Sequence, residues 1–294
     1  MPDQAFDVTA ADGKTTLWVN SEQIEECIKH YQSNAIDRLG VNPQRGYNRK
    51  DIDFLRSHPD ITALVLVGST TPFELEPLEH LRRLRSLTIS FQSRDLHLDR
   101  FPELEEFRGY WHPNLQLADC RALRILDLSG YAPKSKDLSQ LPFFPSLQQL
   151  SMTQAALTSL RGASRFYGLR RIELAYLSKL ESLHDAEQLQ LLEVLDCQKC
   201  RKLRDHDIVR SLTNLRVLRF NDCGEIPNLN FIDEIPSLEE FRFVGTNIAD
   251  GNLGPLLRLK RVGFIAKKHY SYTPEQLDEL LRPHGGSAIP RIEN

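Results

Sequence analysis

Leu192-Glu193-Val194-Leu195-Asp196-Cys197-Gln198-Lys199-Cys200 and, 23 residues later, Leu215-Arg216-Val217-Leu218-Arg219-Phe220-Asn221-Asp222-Cys223 share one pattern. An apolar residue is followed by two residues, an apolar residue, one residue and a third apolar residue, with cysteine at the ninth place. The alternations Leu195-Asp196-Cys197 and Leu218-Arg219-Phe220 have the two-residue period of a half-buried strand. Outward from this pair, clear copies begin at Leu84, Leu123, Leu147, Leu169 and Leu238, and weaker ones at Ile36, Ile61, Leu104 and Leu259. That makes eleven units, their first positions 19 to 25 residues apart.

One short strand cannot bury its apolar face alone, so successive units must stack and share a continuous core. The returning segments supply the other wall of that core, as in Leu75/Leu78/Leu81, Leu138/Leu141/Phe144 and Ile226/Leu229/Ile232. They are short and carry Pro142, Pro145, Pro227 and Pro236, so irregular or 3-10 turns are expected rather than full helices.

Over roughly Ile36 to Ala266 the chain resembles the leucine-rich-repeat family, whose units run L-x-x-L-x-L-x-x-N/C-x-L. The resemblance implies an α/β leucine-rich-repeat solenoid of horseshoe form. It would have a parallel sheet on its concave side, short irregular, 3-10 or helical segments on its convex side, and helical caps. The match departs from the family at the ninth position. Besides Cys200 and Cys223 it reads Gln44, Ser69, Gln92, His112, Tyr131, Ala155, Leu177, Thr246 and Lys267. No asparagine ladder can run the whole array, and a locally irregular solenoid is expected.

The organisation expected is an N-terminal cap over residues 1–35, repeats over 36–268 and a C-terminal capping helix with tail over 269–294. Leu17 and Val19 suggest a leading strand, and Asn20 with Gln23 a capping box before a helix bearing Ile24, Cys27, Ile28 and Tyr31. Thr273-Pro274-Glu275-Gln276 suggests a second capping box, Gly285-Gly286 ends that helix, and the tail Ser287–Asn294 is expected to be loose.

The chain has 294 residues and a formal charge of −3, which disfavours a nucleic-acid scaffold. No apolar run approaches the ~20 residues of a membrane span, and the first residues lack the features of a signal peptide. Five cysteines, an odd number, do not form an evident disulfide framework, so a reducing, cytoplasmic setting is expected.

Catalytic signatures are few. Cys197-Gln198-Lys199-Cys200 with His206 nearby could hold a metal, which is the alternative reading, a metal-dependent enzyme or metal-binding protein. The repeat explains both thiols more simply, since the third apolar place and the ninth both point inward. Gly162-Ala163-Ser164-Arg165-Phe166 begins like a nucleophile elbow but lacks the final glycine. The basic runs Arg82-Arg83-Arg85 and Lys199-Arg201-Lys202-Arg204 read as solvated turns. No catalytic residue, metal ligand or cofactor is assigned.

Residues between the apolar strand positions face away from the core. Their central column includes Arg108, Asp127, Glu173, Asp196, Arg219 and Arg242, with Tyr110, Trp111, Tyr131 and Tyr176 at the strand ends. Aromatics and arginines most often anchor protein interfaces, so these ten residues are the expected partner-binding site. The bland alternative is that Asp196 and Arg219 neutralise each other across adjacent strands. The expected function is non-enzymatic binding of a protein on the concave face, by a chain monomeric when unbound. The N-terminal segment and irregular repeats are similar to bacterial cytoplasmic leucine-rich-repeat proteins, which implies an immunity-type or effector-recognition role.

Overall fold

The computed structural model describes residues 6–68, 73–94 and 96–288, so Ser69, a ninth position, lies outside the described residues. The chain packs as two units, one running to Leu128 and taking in Phe144–Ser146, the other comprising Ser129–Phe143 and the residues from Leu147 onward.

The first unit opens with an antiparallel hairpin, β1 (Val8–Ala11) and β2 (Lys14–Trp18). Its turn residues Asp12 and Gly13 both have positive φ, 54° and 70°, which is the type I′ geometry that matches strand twist. Helix α1 (Ile24–Ser33) follows and buries the expected Ile24, Cys27, Ile28 and Tyr31. The capping box expected at its start is absent. The helix begins after Gln23 without a side-chain cap, and Asn20 instead accepts from the Glu22 amide at 2.9 Å. Parallel strands β3 (Arg38–Val41), β4 (Ala63–Leu66), β5 (Ser86–Ile89) and β6 (Glu106–Tyr110) continue from β2 in chain order. Strand β7 (Ile125–Ser129) lies beside β6, its Ile125 amide donating to the Glu105 carbonyl at 3.0 Å.

The second unit holds β8 (Gln149–Thr153), β9 (Arg171–Ala175), β10 (Val194–Gln198), β11 (Val217–Asn221), β12 (Glu240–Arg242) and β13 (Arg261–Gly263). All are parallel and in chain order, and the register pairs Ile172 with Leu195, Leu195 with Leu218 and Leu218 with Phe241. The returns are 3-10 turns, among them Ala186–Gln188, His206–Ser211 and Asn230–Glu234. This is the outcome their length and prolines predict. Helix α2 (Pro274–Leu281) has the expected capping box, with reciprocal Thr273 and Gln276 bonds of 3.3 and 2.9 Å. Of the tail expected to be loose, residues 287 and 288 are tied down, a correction, and residues 289–294 lie outside the described residues. Ala288 is buried, its amide donates to Asp278 at 3.1 Å, and Ser287 bridges to Arg261.

Inside the second unit three of the ninth-position residues satisfy carbonyls of the preceding repeat. Cys200 lies 3.8 Å from the Leu174 carbonyl, Cys223 3.3 Å from that of Cys197, and Thr246 donates to that of Phe220 at 2.5 Å. Two thiols and a hydroxyl thus do what an asparagine ladder would do. Thr246 also accepts from the Cys223 amide at 2.9 Å and is fully buried. Thr246→Val keeps the shape but strands a buried N–H and a carbonyl, so a loss of about 2 kcal/mol is expected in denaturant unfolding. An unchanged midpoint would show that the ninth position does not hold this turn.

Candidate functional site

The face of each sheet turned away from its core is called here the open face. In the first unit, Trp18 lies flat over Gly40, where a Cβ would sit 2.4 Å from the indole ring, and its indole N–H donates to Thr9 at 2.8 Å. Glycine at position 40 is what lets the hairpin close on β3. From the same hairpin Lys14 reaches Glu106 at 2.6 Å, and Arg108 holds that carboxylate at 2.7 Å and Asp127 at 3.4 Å. Burial would push the Glu106 carboxyl up, but the Lys14 ammonium and Arg108 guanidinium outweigh it and hold it below the usual carboxylate range. Arg108 and Asp127 are therefore already engaged within the unit. Tyr110 is 40% exposed at the end of β6, and Trp111 beside it is half-buried.

In the second unit the hub of the open face is Glu240, only 3% exposed. Arg219 pairs with it at 2.8 Å, Arg242 at 3.0 Å and Arg261 at 2.8 Å. Arg219 also reaches Asp196 at 3.3 Å, the neutralising pair that adjacent strands allow. Burial outweighs Arg219 and keeps the Asp196 carboxyl above its ordinary range. Glu173 accepts from Ser151 at 3.0 Å and from Arg171 at 3.1 Å. Sequence reading singled out Asp196, Arg219 and Arg242 but missed Glu240 and Glu106. Both lie one residue before the second apolar position, two before the column already read, and so on the same face by strand alternation.

Tyr131 requires a correction. It was expected as an exposed aromatic, yet it is 3% exposed, and burial pushes its phenol up to about 12. The reason is register: counted from Leu123 it occupies the ninth position, which points inward.

Tyr176 is the opposite case, 50% exposed with φ +61°. It belongs to a row. After the ends of β7 to β12, Gly130, Gln154, Tyr176, Lys199, Asp222 and Gly245 adopt positive φ. The amides of Gly130, Gln154, Tyr176, Lys199 and Asp222 donate to the next strand at 2.8 to 2.9 Å. This backbone makes the last ladder bond and then turns the ninth residue into the core. Glycine meets it without cost, whereas a tyrosine or lysine there is strained by about 1 kcal/mol or more. Lys199 places its ammonium 4.7 Å from the Tyr176 ring centroid and 3.4 Å from its hydroxyl.

Cys197, Cys200 and Cys223 are buried among these turns, and all five cysteines are free thiols. His206 is buried with its edge against Phe220, the ring centroids 4.9 Å apart. Among the described residues, the group whose ligand atoms lie within 4.8 Å of one another is His184, Asp185 and Glu187, not Cys197, Cys200 and His206. Asp185 there accepts from the Gly162 amide at 2.6 Å and so closes a turn. Ser164, in the elbow-like stretch, sits on a 3-10 turn near that same carboxylate. Among the described residues no helix is long and apolar enough to cross a membrane.

Neither a protein-family profile nor any curated protein sequence matches the chain. Solved structures do match. The functional domain of InlJ from Listeria monocytogenes, which includes a cysteine ladder, is 20% identical with a TM-score of 0.58, over 77% of this chain and 48% of that one. This chain thus spans about half the length of that domain. The Listeria monocytogenes internalin InlF is 15% identical with a TM-score of 0.52, over 95% of this chain and 87% of that one. TLR13, solved as a complex with ssRNA13, is 22% identical with a TM-score of 0.54, over 80% of this chain and 36% of that one. With the repeats and their parallel strands, these likenesses define the fold: the chain has the leucine-rich-repeat solenoid fold.

Proposed function

We propose that the chain is a non-enzymatic protein-recognition module that takes its partner on the open face and the adjoining row of strand-end residues. The observation that carries this reading is Tyr176. A large aromatic side chain is held half in solvent on backbone that favours glycine, with Lys199 strained in the same way beside it. Neither side chain is needed to bury the core, since Gly130 and Gly245 make the same turn in neighbouring repeats. Strain kept where folding does not require it is a mark of function, and tyrosine is a frequent interface anchor.

The remaining contact residues are Tyr110 and Trp111 with Arg108 and Asp127 on the first unit, and Glu173, Asp196, Arg219 and Arg242 on the second. The charged members serve first to hold the sheet's surface in place, and at an interface they would add specificity more than affinity. A partner that the chain neutralises, as in immunity-type pairs, is the finer version of this reading. Free, buried thiols fit a reducing, cytoplasmic setting.

Tyr176→Gly separates function from stability. Relief of the backbone strain offsets the entropy glycine adds to the unfolded chain, so stability should hold or rise by up to about 1 kcal/mol. Affinity for a protein partner recovered from the native cell should fall by about tenfold or more, as measured by titration calorimetry. A variant that is less stable, with unchanged affinity, would make Tyr176 a packing residue and remove the main support for this reading.

A further inference from the structure

We infer that the turns following β9 and β10 form a docking site for an acidic segment of a protein partner. This rests on the protein-recognition reading and adds the partner's chemistry. Tyr176, Lys179, Lys199, Arg201 and Lys202 are all exposed there. None of Lys179, Arg201 and Lys202 makes an ion pair with a carboxylate among the described residues. Lys199 spends its ammonium on the Tyr176 ring.

The arginines along the sheet of this unit contrast with this. Arg170, Arg216, Arg219, Arg242 and Arg261 each have a carboxylate partner. The register Ala175 to Gln198 sets Lys179 and Lys202 at equivalent places, each four residues past its strand end. Backbones of adjacent repeats are ~4.8 Å apart, so the two lysines occupy neighbouring positions of like charge. Side-by-side like charges are unfavourable on a sheet and its turns, and nothing in the fold calls for them. An acidic ligand would turn that repulsion into attraction.

The size of the patch selects the class of ligand. It is two repeats wide, ~10 Å. In the next repeat, the places of Lys199 and Lys202 are taken by Asp222 and Glu225. A polyphosphate chain running along the solenoid would meet those acids within about a Debye length, and the whole chain carries −3. A loop or strand end presenting a few carboxylates, with an apolar group for the Tyr176 ring, can end at the cations and need not run on over Asp222 and Glu225.

The test uses the full chain and three fluorescein-labelled probes: a short peptide of alternating Glu and Tyr, the same peptide with Gln for Glu, and an oligouridylate of equal length. The Glu peptide should bind, the Gln peptide at least about tenfold more weakly. Binding should fade as salt rises from about 0.05 to 0.5 M. Arg201→Glu with Lys202→Glu should abolish it while the circular dichroism spectrum is kept, and Arg201→Gln with Lys202→Gln should weaken it. Equal binding of both peptides, or a Glu peptide indifferent to these substitutions, overturns the inference. An oligouridylate that binds more tightly than the Glu peptide and is lost in the same variants overturns it in favour of a nucleic-acid ligand. If the Glu peptide fails while Tyr176→Gly still weakens a recovered protein partner, the docking inference falls and the broader reading stands. If both fail, both fall.

Discussion

Glu240→Ala is expected to destabilise the C-terminal repeats by about 3 kcal/mol, because breaking a buried ion pair leaves the partner charges uncompensated. The cost arises from geometry: one carboxylate, 3% exposed, is the meeting point of Arg219, Arg242 and Arg261 on three adjacent strands. Without it Arg219 keeps only Asp196, and Arg242 and Arg261 lose the carboxylate they share. Burial alone would raise the Glu240 carboxyl, but the guanidiniums of Arg261, Arg219 and Arg242 hold it below its ordinary range. The stability it lends is therefore present above the unfolded carboxylate pKa and is lost as pH falls through the lower folded value. Glu240→Gln keeps part of the hydrogen bonding and should cost about half as much. Repeat arrays can open in part, so hydrogen exchange of β11 to β13 is the suitable readout. A loss below about 0.5 kcal/mol would place Glu240 among ordinary surface pairs.

His206 gives the second large effect, and it depends on pH. The residue is 1% exposed, and among the described residues neither ring nitrogen has a hydrogen-bond partner. Burial lowers its pKa to about 4, against the opposing pull of Asp205 and Asp207. An unfolded histidine titrates near 6.5, so between about 4 and 6.5 the unfolded chain holds a proton that the folded chain lacks. Stability is then fully present above about 6.5 and falls by roughly 3 kcal/mol on acidification to about 4. His206→Leu removes the titrating group. Its stability at neutral pH should equal or exceed that of the native chain, and the difference should widen through the acid window. The two chains losing stability in parallel from pH 6.5 to 4 would assign the acid sensitivity to carboxylates instead. The solvated ion pairs elsewhere in the returns are too weak to mask the comparison.

Reading from the sequence reached the fold because strand alternation and unit spacing are short-range signals. Leu195, Leu218 and Phe241 are aligned by period alone, and their register follows. The N-terminal hairpin is equally legible, since Asp12-Gly13 between two β-prone stretches is a strong turn signal. The reach of Lys14 to Glu106, 92 residues away, was not legible, because it depends on how the hairpin tip is carried over the sheet. The inward Tyr131 could have been foreseen by counting to the ninth position. The strain at Tyr176 could not, because in sequence the place between a strand end and the ninth residue tolerates glycine, glutamine, lysine or aspartate alike.

The most direct test of the recognition reading is photo-cross-linking in the native cell from position 176, with position 167 as the control. Tyr167 is an exposed aromatic of the same unit but lies before β9 rather than after it. With benzoylphenylalanine at 176, the reading predicts an adduct with one defined protein that is missing when the probe sits at 167. No protein adduct from 176, or the same adducts from both positions, would contradict it.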